Sequence, residues 1–120
     1  MPHLTLEHTD NLPTFNAASA LQQLNHALAA SGQFKEVDIK SRAIKLDTFA
    51  VGISVDLRGF VHVKLAILSG RSSKTKQELS AILLRTLKNL FGPADESHVQ
   101  LCVEIQDIDR ASYAKATLAR

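Results

Sequence analysis

The sequence is poor in aromatic residues and almost free of sulfur. Aromatic side chains make up 5% of the 120 residues, and tryptophan is absent. The core must therefore be built mainly from leucine, isoleucine, valine and alanine. Cysteine occurs once, at Cys102, so no internal disulfide can form. A lone thiol fits a reducing compartment, and we expect a cytoplasmic protein.

Long apolar runs and a strong charge are also lacking. No run approaches the roughly 20 apolar residues of a membrane helix, and no basic segment followed by an apolar one marks a signal peptide. The formal net charge is only +2, whereas nucleic-acid binding usually needs a clustered basic face. These features argue against nucleic acids and membranes as partners. The mildly basic balance suits small carboxylates.

The hydrophobic pattern predicts alternating strands and helices within one domain, residues 1–120. Apolar residues recur with a period of two, typical of strands, in residues 3–9, 37–49, 60–68 and 99–105. They recur at helical spacing in residues 14–30 and 74–91, and Gly92-Pro93 is expected to end the second helix. Residues 50–59, bounded by Gly52 and Gly59, are compatible with either a hairpin or an irregular excursion.

This order predicts an α+β fold made of two β-α-β units, residues 2–49 and 60–108, with an internal duplication plausible. Parallel strands need a crossover connection, which a helix of this length supplies. We expect a four-stranded mixed sheet with both helices on one face. Phe60 and Ala66 lie opposite Val61 and Val63 in the alternation. Because this strand has apolar residues on both of its faces, we expect partner subunits to cover the sheet face that the helices leave open.

Pro2 is the first candidate for chemistry. A small residue after the initiator methionine favours removal of Met1, which would leave a secondary amine at the start of a strand. An α-amino group titrates at roughly 7.7–8.0. A prolyl nitrogen starts higher, but burial and neighbouring cations lower it toward the range of a general base. The alternative is that Pro2 only begins a strand.

Several short motifs, taken in their order and spacing, resemble the 5-carboxymethyl-2-hydroxymuconate isomerase family. The similarity runs from Pro2 to about Ile108, and no single motif in it is highly specific. The motifs are Met1-Pro2-His3, Ser41-Arg42, Asp47-Thr48-Phe49, Phe60-Val61-His62, Gly70-Arg71-Ser72 and Gln77.

The resemblance implies two β-α-β units, a homotrimer, and membership of the superfamily that contains 4-oxalocrotonate tautomerase and macrophage migration inhibitory factor. It also implies a cofactor-independent proton shuttle. The amino-terminal proline would move a proton within an unsaturated hydroxy or keto acid, in aromatic-compound catabolism. Cations would hold the substrate carboxylates and stabilise the dienolate. In such a trimer each site lies at a subunit boundary.

By this resemblance, Pro2 corresponds to the catalytic residue of the family, and the substrate-binding positions are Lys40, Arg42 and Arg71. Lys40 stands where the family has an arginine, so the charge is kept but the bidentate fork is lost. Arg42, two residues on, matches. Pro13 falls near a family arginine, so that cation is missing. These departures put the substrate in doubt more than the proline chemistry.

Plainer interpretations of the cations remain open. Lys40 and Arg42 share a strand face, and exposed strand charges commonly serve solubility. Arg71 could belong only to a helix-cap region. The segment Gly70–Thr75 lacks the earlier glycine and the Gly-Lys pair of a phosphate loop.

No metal or cofactor is expected, and two other functions stay open. The histidines (His3, His8, His26, His62, His98) show no metal-ligand spacing. Cys102 has no evident activating partner. One alternative is a tautomerase of different substrate preference, and the other is a non-catalytic trimeric binding protein that retains the fold.

Overall fold

The chain folds into two successive β-α-β units, and the computed structural model describes residues 1–92 and 98–119. Short 3-10 turns, Glu36–Asp38 and Arg110–Ser112, precede the second strand and follow the fourth. The main elements are β1 (His3–Thr9), α1 (Ala17–Ala30), β2 (Lys40–Leu46), β3 (Arg58–Leu68), α2 (Ser73–Asn89) and β4 (His98–Ile108).

The four strands form one mixed sheet in the order β2-β1-β3-β4. Within each unit the two strands are parallel, because a helix carries the chain back to the starting edge. The inner strands β1 and β3 are antiparallel and join the two units. The predicted α+β fold is confirmed.

Both helices cover the same face of this sheet, and the core lies between them. Successive side chains of β1 and β3 point to opposite faces of the sheet. Every second side chain therefore points toward the helices and is buried there. Each helix presents a leucine stripe to them, and the two helices also contact each other. The fully buried leucines, isoleucine and valines are Leu4, Leu6, Leu24, Leu28, Val61, Val63, Leu65, Ile67, Leu79, Leu83 and Leu87.

The helices begin where polar side chains cap them. The Asn16 side chain accepts a hydrogen bond from the Ser19 amide at 3.0 Å, so α1 starts at Ala17 and not at Thr14 as predicted. The Ser72 hydroxyl accepts from the Thr75 amide at 3.2 Å and caps α2. Pro93, expected to end α2, lies outside the described residues.

The predicted second strand, residues 37–49, is too long at both ends. The amides of Asp38 and Ile39 donate to carbonyls within the preceding turn, so they are not available to a strand ladder. β2 therefore begins at Lys40, and it ends at Leu46, before Phe49. Residues 50–57 form an irregular excursion without a strand, and residues 58–59 open β3.

The sheet face away from the helices is more polar than predicted. Phe60 and Ala66 do lie on it, half-buried. Between them His62 pairs with Glu104 at 2.9 Å and lies 3.9 Å from Glu7. These polar contacts lie on the sheet face that partner subunits are predicted to cover. Within the described ranges, no helix has the length and apolar character to cross a membrane.

Candidate active site

The amino terminus lies at the edge where β1 and β2 begin side by side. Pro2 is buried, and its carbonyl accepts a hydrogen bond from the Lys40 amide at 3.1 Å. The pKa of the Met1 amine is lowered from 8.0, first by burial. Asp38 opposes that effect, whereas the positive charges of Lys40, Arg71 and Lys115 lower the pKa further.

Lys40 lies directly beside the first residue of β1. The parallel register pairs it with His3, so both side chains project from the face away from the helices. Its ammonium group donates a hydrogen bond to the Asp38 carbonyl. The contact holds the long side chain over the preceding turn, close enough to act on the amino terminus and on His3.

Arg42 reaches the same region through His3. Its register partner is Thr5, and its Nη2 donates to His3 Nδ1 at 3.1 Å. Because a guanidinium only donates, Nδ1 must be the unprotonated nitrogen, and we infer that the ring proton is on Nε2. Nε2 then donates to the Tyr113 hydroxyl at 2.9 Å. The pKa of His3 is lowered from 6.5 by burial and then by Lys40 and Arg42, so the ring is neutral at neutral pH.

Arg71 is held in place by the segment that follows α1. Its Nε donates to the Gln33 side-chain oxygen at 3.3 Å and its Nη2 to the Gln33 carbonyl at 3.0 Å. The guanidinium also lies 4.7 Å from the centre of the Phe34 ring. The neighbouring residue Ser72 makes the helix cap. Arg71 thus lies directly before the cap of α2, with its guanidinium directed to Gln33 and Phe34.

Three residues of this region were not singled out by the sequence as site residues: Asp38, Tyr113 and Lys115. After β4 the chain folds back on itself, so Tyr113 contacts His3 and the Lys115 ammonium lies 3.0 Å from an Asp38 carboxylate oxygen. The Lys115 contact lowers the pKa of Asp38 from 3.8. The sequence carried little signal for them, because an alternation of alanine with polar residues predicts neither a strand nor a helix.

The structure thus brings Pro2, Lys40 and Arg71 into one electrostatic neighbourhood and connects Arg42 to it through His3. Clefts formed by the described residues lie elsewhere, and the following are two of them. One of about 400 Å³ includes His26 and Glu36, and one of about 540 Å³ includes Pro13. Among the described residues, no group of three or more His, Cys, Asp or Glu side chains could hold a metal ion.

Chemically, the arrangement combines the Met1 amine, whose pKa is lowered, with an excess of positively charged side chains. Such an amine loses its proton readily near neutral pH and can then accept one from a substrate. The cations can bind carboxylates and stabilise an enolate oxygen as negative charge develops on it.

The fold itself occurs in solved structures of the tautomerase superfamily. The fused 4-OT symmetric trimer matches it with a TM-score of 0.74 at 15% identity, over 95% of this chain and 91% of that chain. A likeness at this identity concerns the fold alone. It defines the class as a tautomerase fold built from β-α-β units.

Sequence comparisons identify the family. The family model for 5-carboxymethyl-2-hydroxymuconate isomerase matches residues 2–119. A 5-carboxymethyl-2-hydroxymuconate isomerase from Deinococcus radiodurans R1 has a TM-score of 0.90 and 35% identity, over 98% of this chain and 90% of that chain. The Escherichia coli 5-carboxymethyl-2-hydroxymuconate Delta-isomerase is 30% identical over 110 residues, 90% of this chain and 87% of that protein. The chain belongs to the 5-carboxymethyl-2-hydroxymuconate isomerase family and is an enzyme of the isomerase class.

Proposed function

We propose that this enzyme is a cofactor-independent tautomerase whose general base is the Pro2 nitrogen, freed by removal of Met1. Its substrates are unsaturated hydroxy or keto acids that carry carboxylates, of the 5-carboxymethyl-2-hydroxymuconate kind, and its setting is cytoplasmic catabolism of aromatic compounds. The observation that carries the proposal is the place of Pro2, which is buried at the edge where β1 and β2 begin and accepts a hydrogen bond from the Lys40 amide. The pKa of the Met1 amine beside it is lowered, first by burial.

The field at the amino terminus supports a base and not merely a strand start. A proline that only opened a strand would need no surrounding cations. Here burial lowers the pKa of the Met1 amine, and the charges of Lys40, Arg71 and Lys115 lower it further against the opposing charge of Asp38. Once Met1 is removed, the same groups would act on the Pro2 amine. While Met1 is attached, the Pro2 nitrogen is an amide and cannot accept a proton. Removal of Met1 is therefore part of the proposal.

The reaction needs only one proton and the substrate's own electrons. The Pro2 nitrogen removes the proton of a dienol hydroxyl, and the oxygen becomes a carbonyl as the electron pair shifts along the conjugated system. The protonated amine then returns that proton to a distant carbon, which regenerates the base. Proton transfer by a positioned group contributes roughly 10²–10⁴-fold to a rate.

Lys40, Arg42 and Arg71 are proposed to bind the substrate. Arg71 presents a planar fork suited to a carboxylate and is already oriented by Gln33 and Phe34. Lys40 offers a point charge without a fork. Arg42 fixes the His3 tautomer and contributes positive charge behind it. Because Lys40 replaces a family arginine, a substrate preference distinct from that of other family members is the second candidate.

We further propose a homotrimer with its sites at the subunit boundaries. The excursion before β3 exposes Ile53 and Val55 completely and Leu57 by 66%. Apolar side chains so close together commonly mark an interface. The trimeric state of the fused 4-OT structure, which has the same fold, supports this assembly. A neighbouring subunit would then enclose the amino terminus.

The test is the intact mass of the purified protein together with a ketonisation assay on 2-hydroxymuconate-type dienols. The proposal predicts loss of one methionine and turnover of at least one such dienol. Loss of the methionine with no turnover on any of them would favour a binding protein that retains the fold.

A further inference from the structure

We propose that Lys115 determines specificity by binding the second carboxylate of a dicarboxylate substrate, with Asp38 occupying that position in the empty site. The inference rests on the proposed function, since it concerns the same site. None of the site residues assigned by the family resemblance lies in the segment after β4, so the inference gives this segment a role of its own.

Two attachments ahead of Lys115 hold the segment after β4 against the rest of the chain. Arg110 donates two hydrogen bonds to the Ser69 carbonyl, at 3.1 and 2.9 Å. Tyr113 contacts His3 at 2.9 Å, two residues before Lys115. These attachments bring the Lys115 ammonium to the edge where β1 and β2 begin, although it is far away in the chain.

The partner of Lys115 is a carboxylate, and the pair is exchangeable. The ammonium lies 3.0 Å from Asp38, and their side chains are 28% and 23% exposed. An ion pair that is partly open to water contributes little to stability. A substrate carboxylate can therefore replace Asp38 at little cost in stability.

The charges around the amino terminus leave Asp38 as a placeholder. The groups that act on the terminal amine are the cations Lys40, Arg71 and Lys115, and one anion, Asp38. Asp38 itself interacts first with Lys115, and then with the terminal amine and Lys40. A dicarboxylate would bring two negative charges, which Arg71 and Lys115 can bind separately. A monocarboxylate would engage one of them and leave Lys115 on Asp38.

Lys115→Met tests this by removing the charge while keeping most of the chain length. We expect the KM for a dicarboxylic dienol to rise about 10-fold, with kcat changed less than 2-fold. The KM for the matching monocarboxylic dienol should change less than 2-fold. Lys115→Arg should restore most of the dicarboxylate affinity, and Lys88→Met, at the far end of α2, should have no effect on either substrate.

Asp38→Asn tests whether Asp38 competes with a substrate carboxylate for Lys115. With Asp38 neutral, Lys115 has lost its competing anion, so the KM for the dicarboxylate should fall about 3-fold. An equal KM effect of Lys115→Met on both substrates, or no effect on either, would overturn the role of Lys115. Neither outcome would touch the proline mechanism if the wild type turns over dienols.

A binding measurement separates the two proposals if no dienol is turned over. Muconate and sorbate are six-carbon dienes with two carboxylates and one. Titration calorimetry should show tighter binding of muconate to the wild type, and Lys115→Met should remove that difference. A preference for muconate that survives in Lys115→Met would contradict the inference whether or not the enzyme is active.

Discussion

The hydroxyl of Tyr113 lies 2.9 Å from Nε2 of His3, although 110 positions separate the two residues in the chain. The contact ties the segment after β4 to the strand that carries the amino terminus. Since Arg42 contacts the other ring nitrogen of His3, one imidazole links the cation from β2 to the segment after β4. The site is therefore assembled from both ends of the chain.

Replacing Pro2 should remove most of the activity. For Pro2→Ala we expect kcat/KM to fall at least about 100-fold, the lower part of the range for general-base catalysis. The change sits at a chain end and removes little core, so the assembly should be unaffected. Dienol kinetics and sedimentation of the variant check both points. Unchanged turnover would refute the proline mechanism.

Arg71→Ala should affect dicarboxylates more than monocarboxylates. Hydrogen bonds to charged groups are worth about 1.5–3 kcal/mol, so we expect the KM of a dicarboxylic dienol to rise about 10-fold or more. Arg85→Ala, on an exposed position of α2, is the matched control. Equal KM effects on both substrates would mean that Arg71 only shapes the start of α2.

Lys40→Met should change both substrate binding and the titration of His3. Lys40 is the first of the charges that lower the His3 pKa. Its loss should move that pKa upward, toward 6.5, in an NMR titration. Lys45→Met, exposed on the same strand, should leave the His3 pKa where it is. An unchanged His3 pKa in Lys40→Met would show that the lysine is directed away from the site.

Acid should protonate the His3 ring beside Tyr113 and break its contact with Arg42. The folded pKa of His3 is depressed below 6.5, so the stability that its neutral form contributes is present above pH 6.5 and is lost as pH falls through the folded pKa. The depressed pKa of Asp38 acts in the same direction below 3.8. Protonated His3 can no longer accept from Arg42.

Tyrosine fluorescence reports this change directly, because Tyr113 is the single tyrosine and tryptophan is absent. We expect a transition with its midpoint below pH 6.5 that His3→Gln abolishes and His98→Gln leaves in place. A transition that persists unchanged in His3→Gln would have another origin.

Gly59 should tolerate no side chain. A Cβ there would lie 2.7 Å from the Thr9 hydroxyl and 2.8 Å from Asn11 Oδ1. Overpacking typically costs about 1–3 kcal/mol, which we expect Gly59→Ala to lose in free energy of unfolding. Gly92→Ala is the control, since a Cβ at that position meets nothing within 4 Å. Equal denaturation midpoints for the two variants would contradict the packing around β3.

The fold was largely predictable because its core follows simple periods. Val61 and Val63 alternate with polar neighbours, and the leucines of α2 recur at helical spacing, so both elements were found. The start of β2 was missed because Val37 and Ile39 imitate the same alternation. Their segment forms a 3-10 turn. The backbone hydrogen bonds of this turn, within residues 35–39, cannot be recognised from the pattern of hydrophobic residues.

The site was predictable only in part. Pro2, Lys40 and Arg71 stand at positions where a family resemblance assigns a role, and the structure places them near one another. Asp38 and Lys115 were not found, because their contact spans 77 positions. Only the folded chain shows that they meet.

The most direct test of the account is a titration of the Pro2 nitrogen by ¹⁵N NMR, in protein that begins at Pro2, beside the pH profile of kcat/KM. The account predicts a pKa lower than that of a free prolyl amine, equal to the pKa at which kcat/KM rises with pH. The same protein extended by Met1 should be inactive. A Pro2 pKa that differs from the kinetic one, or full activity with Met1 attached, would contradict the account.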